Sequence, residues 1–282
     1  MTTATTSPRR PPPQRSQASA APAPTSGSFA VAGGTTRKAR RVVLYGTGGI
    51  GKSTLAAQIR DVEIEPLFLD LEGGTQDMDV QRVAPPGGQW TFPLVRSALQ
   101  STELWTPKRA AVIDSGTKAQ ELAVAHLLAT VKTQSNNAAH SIEDYGYGKG
   151  YQHLFEQMCL LLADMDRLAE RGVNVVLICH DSRANVPNPM GPDYLRYEPN
   201  LYHSTTGKSS VRERVKEWCD DLLFIAYDLN VKDGKASGSG TRAIYTQETP
   251  MFLAKCRALA GDYVFAPGDS QIWKDLFGKD SK

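Results

Sequence analysis

The sequence predicts an α/β protein: a mostly parallel, twisted sheet with helices on both faces and a late antiparallel strand pair. Three observations predict it. From residue 41 onward, short β-rich runs alternate with helical patterns, the order that buries a parallel sheet between two helical layers. Several of the runs, such as Val42–Tyr45 and Asn174–Cys179, are almost wholly apolar, as strands covered on both faces must be. A glycine-rich loop then joins the first strand to the first helix.

The strands read as Arg41–Tyr45, Pro66–Leu71, Ala110–Asp114, Asn174–Cys179, Asp221–Tyr227 and Arg242–Gln247. The helices read as Lys52–Arg60, Pro93–Gln100, Lys118–Lys132 and Lys149–Arg171. The last of these carries Leu154, Met158, Leu161, Leu162, Met165 and Leu168 at helical spacing, and Gly172 is a fitting C-terminal stop. The Gly/Ser-rich stretch Asp233–Gly240 reads as a hairpin loop between the last two long strands. Three long linkers remain: Thr133–Gly148, Asp181–Ser210 and Pro267–Lys282. Compact domains rarely keep such connections without a use.

This pattern divides the chain into a tail (1–40), a core (41–266) and a C-terminal extension (267–282). The net charge of +2 hides an asymmetry, because residues 1–41 hold seven basic and no acidic residues and the remainder carries −5. Residues 2–28 are almost all Thr, Ser, Ala, Pro, Arg and Gln, a composition that cannot offset its ordering entropy by burial and so predicts disorder. The stretch lacks the apolar centre of a signal peptide, and Pro11–Pro13 and Pro22–Pro24 oppose an amphipathic targeting helix. It is a solvated tail or a tether for anionic nucleic acid. The longest apolar runs fall far short of the ~18 residues of a membrane span. Four widely spaced cysteines without a CxxC pair suit reduced thiols in a cytoplasm-like compartment. Cys179, His180, His203 and Cys219 are zinc-ligand types, but their irregular spacing argues against a site.

Gly46-Thr47-Gly48-Gly49-Ile50-Gly51-Lys52-Ser53 fits GxxxxGK[ST], with an apolar strand before it and Thr54 continuing it into a helix. The glycines let backbone N–H groups converge on phosphate oxygens, and the helix N-terminus adds positive potential. Lys52 would reach the β- and γ-phosphates of ATP, and the Ser53 hydroxyl would hold Mg²⁺. Position 47 is Thr, so the extra lysine of the ParA-like variant loop is absent. Thr206-Gly207-Lys208-Ser209 is not a second such loop, because Tyr202 stands where the first glycine should be. Asp114, ending an apolar strand, supplies the second metal carboxylate, unless it only caps the helix that follows.

With these residues in order, the chain resembles the RecA-like P-loop ATPases, most closely the phage-encoded recombination and single-strand-annealing ATPases, over roughly residues 40–260. The resemblance implies a glutamate that activates the attacking water, and Glu72 in Leu67-Phe-Leu-Asp70-Leu-Glu72-Gly-Gly stands there. Asp70 is the fallback, and the plainer reading of Glu72 is a turn cap. It implies a γ-phosphate sensor at His180, where the strand Asn174–Cys179 ends. It also implies two DNA-binding loops, at Thr133–Gly148 and Asp181–Ser210. The first leads into Tyr145, Tyr147, Lys149 and Tyr151, and the second holds Arg183, Tyr194, Arg196, Tyr197, Tyr202, His203 and Lys208. Aromatic faces can stack on bases while cations meet phosphates; a substrate lid or protein-binding loop has a similar composition. Lys255-Cys-Arg257, after a strand-like Met251–Ala254, would present two cations to a neighbouring subunit's γ-phosphate, or be a solvated basic pair. Phe29-Ala-Val-Ala32 matches a short docking segment of related recombinases. Ile272–Phe277 is a partner peptide or, preferably, a final helix packed on the core.

The function expected from this reading is ATP hydrolysis at subunit interfaces of a homo-oligomer, ring or filament, bound to single-stranded DNA. A single-strand-binding protein is an expected further partner, and the cytoplasm is the expected location, that of a bacterial host if the protein is phage-encoded. Two other classes stay open: a P-loop small-molecule kinase using Asp181–Ser210 as a lid, and a non-catalytic nucleotide-binding adaptor of phage replication.

Overall fold

The computed structural model describes residues 38–204, 208–232, 235–259 and 261–278, all within the unit Arg37–Lys282. The expected disordered tail, apart from its last three residues, and the Phe29–Ala32 segment lie outside the described residues, as do 279–282.

The strands are β1 (Arg41–Gly46), β2 (Glu65–Asp70), β3 (Gln81–Arg82), β4 (Arg109–Asp114), β5 (Asn174–Val186), β6 (Tyr194–Pro199), β7 (Asp221–Lys232), β8 (Lys235–Tyr245) and β9 (Tyr263–Phe265). The helices are α1 (Lys52–Ala57), α2 (Phe92–Gln100), α3 (Gly116–Thr130), α4 (Lys149–Glu170), α5 (Val211–Trp218) and α6 (Gln271–Phe277). The sheet runs β3-β2-β4-β5-β1-β7-β8-β9, with β6 paired to β5 beyond the main path. All pairings from β3 to β7 are parallel, and β7–β8 and β8–β9 are antiparallel. This is the α/β architecture the sequence predicts.

Side chains alternate across each strand, so one apolar run feeds two cores. On β1, Val43 and Tyr45 face the layer that includes α2, α3 and α4. Val42 and Leu44 face α1 and α6. All four are fully buried. On β5, Val175, Leu177 and Cys179 join the first core, and Val176 and Ile178 the second. The C-terminal helix therefore belongs to the fold: Trp273 is fully buried, and its indole N–H donates to the Leu55 carbonyl at 2.7 Å.

Arg40 and Arg41 are core residues, not tail cations. Arg40 grips the fully buried Asp221 with two bonds of 2.7 Å, and Arg41 bridges Asp220 and Asp166. Both tie the start of β1 to the start of β7.

Four further expectations need correction. Asp181–Ser210 is not one long loop, because β5 continues to Val186 and folds back as β6, pairing Asp181 with Pro199 and Val186 with Tyr194. The stretch then leads into α5, whose first turn Ser210 caps. The late strands extend far beyond their predicted ends, to Lys232 and from Lys235, so most of the expected Asp233–Gly240 loop is strand; residues 233–234 lie outside the described set. Met251–Ala254 is irregular, held by isolated bridges such as Thr249–Phe252 and Leu222–Lys255. Helix α1 is shorter than expected and passes into a 3-10 turn at Gln58–Val62.

Candidate nucleotide-binding site

The parallel strands end together. The register sets Gly46 beside His180 and Asp70 beside Asp114, so the loops after β1, β2, β4 and β5 meet at the carboxyl edge of the sheet. That edge is where open α/β sheets bind ligands.

The loop from Gly46 to Gly51 leaves β1 and enters α1. Gly46 must be glycine, since a Cβ there would stand 2.3 Å from the Ile225 carbonyl oxygen on β7. Gly51 has φ +104°, a left-handed conformation that disfavours a side chain. Lys52 is buried, and its ammonium donates to the Gly46 and Thr47 carbonyls at 2.7 and 2.8 Å. Burial lowers its pKa below the ordinary lysine value, and the charge of Asp114 opposes that shift. A cation held in this way is available to polyphosphate oxygens.

Ser53, in the first turn of α1, donates to Asp114 Oδ2 at 2.5 Å. Asp114 is buried at the end of β4, and burial raises its pKa against the lowering effect of the Ser53 bond. A hydroxyl and a carboxylate side by side are the hard oxygen donors that Mg²⁺ prefers. Asp114 does not cap α3; that work falls to Ser115, whose Oγ accepts from the Lys118 N–H at 3.1 Å.

Glu72 lies just past β2, and its Oε1 accepts from the Ser115 hydroxyl. Both of its oxygens lie 3.1 Å from His180 Nε2. An ionised carboxylate only accepts, so the arrangement calls for a proton on Nε2. The sequence placed Glu72 and His180 at separate motifs; the fold puts them in contact across 108 positions. Ser115 was missed, and its only sequence signal is its place directly after Asp114. Asp70, the fallback base, is committed elsewhere. It accepts from the N–H groups of Gly73, Gly74 and Thr75 and from the Thr75 hydroxyl. Burial raises its pKa, and these bonds outweigh burial and leave it below the usual value. It builds the turn that carries Glu72.

His180 is wired to the hairpin. Its backbone N–H donates to Thr117 Oγ1 at 3.1 Å, and its carbonyl accepts from Asn200 N at 2.8 Å. At the hairpin foot, buried Glu198 sits between Arg196 and Arg212, with Arg212 Nη1 at 2.8 Å. Arg196 also pairs with Glu248 at 2.6 Å. Arg196 is therefore not the free cation expected of a DNA-binding loop, whereas Arg183 and Lys208 are exposed. Tyr197 packs on Phe224, and its carbonyl accepts from the Tyr45 hydroxyl at 3.0 Å; that hydroxyl also reaches the Leu253 carbonyl at 2.6 Å. The two expected DNA loops are brought together by Tyr151 and Tyr202, which stack at 4.3 Å and 8°. Tyr147 is 99% exposed.

Lys255 departs from its expected place. It is not on a strand beside Arg257, and its ammonium caps α5, donating to the Lys216 and Cys219 carbonyls at 2.7 and 2.6 Å. Carbonyls at a helix C-terminus attract a cation, so within this chain Lys255 is already engaged. Arg257 is exposed.

Among the described residues there is no cluster of three or more metal-ligating His, Cys, Asp or Glu side chains, and no helix is long and apolar enough to cross a membrane. The chain is similar to the KaiC-like protein PH0186 from the hyperthermophilic archaeon Pyrococcus horikoshii OT3, at 12% identity and a TM-score of 0.37, over 81% of this chain and 91% of that one. A search of curated proteins found no match. Residues 38–258 match the AAA_24 family, an AAA domain. With its phosphate loop and its paired Ser53 and Asp114 in place, the chain belongs to this family of nucleotide-binding AAA domains.

Proposed function

We propose that this protein is an ATP-driven, single-stranded-DNA-binding ATPase of recombination or strand annealing, of the phage-encoded kind, that works as a homo-oligomer. The observation that carries the proposal is the contact of Glu72 with both Ser115 and His180. It links the metal carboxylate's neighbour, a proton acceptor and the root of a protruding hairpin in one chain of hydrogen bonds.

The residues divide the work as follows. Backbone N–H groups of Gly48 to Thr54 and the Lys52 ammonium receive the polyphosphate. Ser53 and Asp114 would hold Mg²⁺, which would supply positive charge against the phosphate oxygens. Glu72, held by Ser115, orients a water molecule and takes its proton. His180 Nε2 can serve Glu72 or a terminal phosphate oxygen, but its single proton cannot serve both fully. Phosphate arrival would thus pull on β5 where it becomes the hairpin. Tyr147, Lys149, Arg183 and Lys208, with the Tyr151–Tyr202 stack, offer the aromatic and cationic groups that single strands use. Arg257 is the cation left to reach a neighbouring copy.

The test is ATPase rate against protein concentration, with and without single-stranded DNA. The proposal expects a rate per chain that rises with concentration and with DNA, and binding that weakens steeply with salt. A rate indifferent to both would sink it. One observation favours a second reading, a small-molecule kinase. A cleft of about 790 Å³ beside Thr47, lined by Asp181, Tyr197, Phe224, Tyr227, Tyr245 and Asp262 among others, is large enough for an acceptor substrate. Phosphate transfer to a metabolite, with no response to DNA, would favour that reading.

A further inference from the structure

Strand β8 reaches over the phosphate loop with one side chain. Arg242 Nη1 donates to the Ile50 carbonyl at 2.9 Å, across 192 positions of sequence. The guanidinium lies over Phe265, its central carbon 4.3 Å from the ring centroid. The pair is set by the sheet itself, since Arg242 and Phe265 are directly opposite each other across the β8–β9 ladder. Phe265 is buried, so the platform under the arginine is fixed. Both groups close on Gly51: a Cβ there would meet Arg242 Nη1 at 2.6 Å and Phe265 Cε1 at 2.8 Å.

The geometry has a consequence for the loop's amides. In a trans peptide the C=O and the following N–H point in opposite directions. With the Ile50 carbonyl held on the β8 side by a cationic donor, the Gly51 N–H points away from β8. A flip of that peptide would put a carbonyl oxygen where the loop needs a donor for phosphate, and would leave Arg242 without its acceptor. We infer that Arg242, stacked on Phe265, is a positioning residue that locks the Ile50–Gly51 peptide in its phosphate-receiving orientation. The inference rests on the ATP-binding reading above. It adds a contribution from the antiparallel edge of the sheet, outside the glycine loop.

The test begins with wild-type protein and a fluorescent ATP analogue. Binding by the wild type is the check on the ATP reading itself, and its absence would fail that reading before Arg242 is reached. Given binding, Arg242→Met keeps the bulk over Phe265 and removes the donor. The variant is expected to bind ATP and ADP about 10–100-fold more weakly, the loss typical of one charge-assisted hydrogen bond. Its kcat at saturating ATP should stay within about threefold of wild type, because Arg242 does not touch the reacting atoms. Arg242→Lys, which can still donate to Ile50, should recover much of the lost affinity, and the melting temperatures of both variants should stay near wild type. Wild-type affinity in the Met variant would overturn the inference. So would a Lys variant as weak as the Met variant, or an affinity loss that follows a fall in melting temperature, since either would mean a general structural role.

Discussion

Replacing Glu72 with Gln would remove the proposed proton acceptor and little else. The side chain is about one-third exposed, and its partners are Ser115 Oγ and His180 Nε2. The Gln carbonyl oxygen can still accept from Ser115, so the local fold should change in stability by no more than about 1 kcal/mol, the net worth of a hydrogen bond. Turnover should fall much further. Loss of a general base costs roughly 10²- to 10⁴-fold, which is about 2.7–5.4 kcal/mol on the barrier. Phosphate release at saturating ATP reads the rate, and equilibrium binding of the fluorescent analogue should remain within about twofold of wild type, because Lys52, Ser53 and Asp114 are untouched. Asp70→Asn is the control. That residue holds four donors of the turn below Glu72, so it should lower the melting temperature as well as the rate. Normal turnover in Glu72→Gln, or a Glu72→Gln variant that loses stability as Asp70→Asn does, would refute the assignment of Glu72 as base and Asp70 as scaffold.

Four other outcomes follow from the same structure. Asp114→Asn should raise the melting temperature while abolishing Mg²⁺-dependent nucleotide binding. The folded-state pKa of Asp114 is raised by burial, so ionisation opposes folding and stability is lost as pH rises through that pKa. The gain from Asn should therefore shrink as pH is lowered from 7 toward the ordinary carboxyl range. Arg40→Ala strands the buried Asp221 carboxylate and should cost about 3–5 kcal/mol in urea unfolding. Lys255→Met removes the cap on α5 and should cost about 1 kcal/mol, whereas Arg257→Ala should leave the melting temperature unchanged. Tyr147→Ala, fully solvent-exposed, should leave stability unchanged and weaken single-stranded DNA binding by about 1–3 kcal/mol if its ring stacks on a base.

The parts of the fold that were legible were those whose burial is written into the local pattern. Val42–Tyr45 and Val175–Cys179 are apolar on both faces because both faces are covered, and Leu154 to Leu168 keep helical spacing because one stripe of α4 meets the core. The β5–β6 hairpin was not legible. It leaves the sheet, neither of its faces is fully covered, and residues 181–199 hold four prolines and many polar side chains. The late hairpin was legible at Asp233–Gly240, but the length of its strands was not, because the glycines and serines of 235–240 oppose strand propensity. In the site, the glycine loop and Asp114 were readable from spacing. Ser115 and Arg242 were not, because each reaches the site through a tertiary contact, at separations of 43 and 192 residues. Lys255 was misplaced for the same reason: its partners are carbonyls 36 and 39 positions away.

The phenol of Tyr45 joins three backbones, namely the strand that enters the phosphate loop, the hairpin at Tyr197 and the segment at Leu253. Tyr197 is also stitched to that segment through its own N–H and carbonyl. The protruding hairpin is thus a cantilever clamped at its root. It cannot slide as a whole without tearing these bonds, so bending is confined to its outer reach, beyond Arg183 and Tyr197. On the proposed reading, any draw of a phosphate on His180 would reach the far tip only by acting through this clamp.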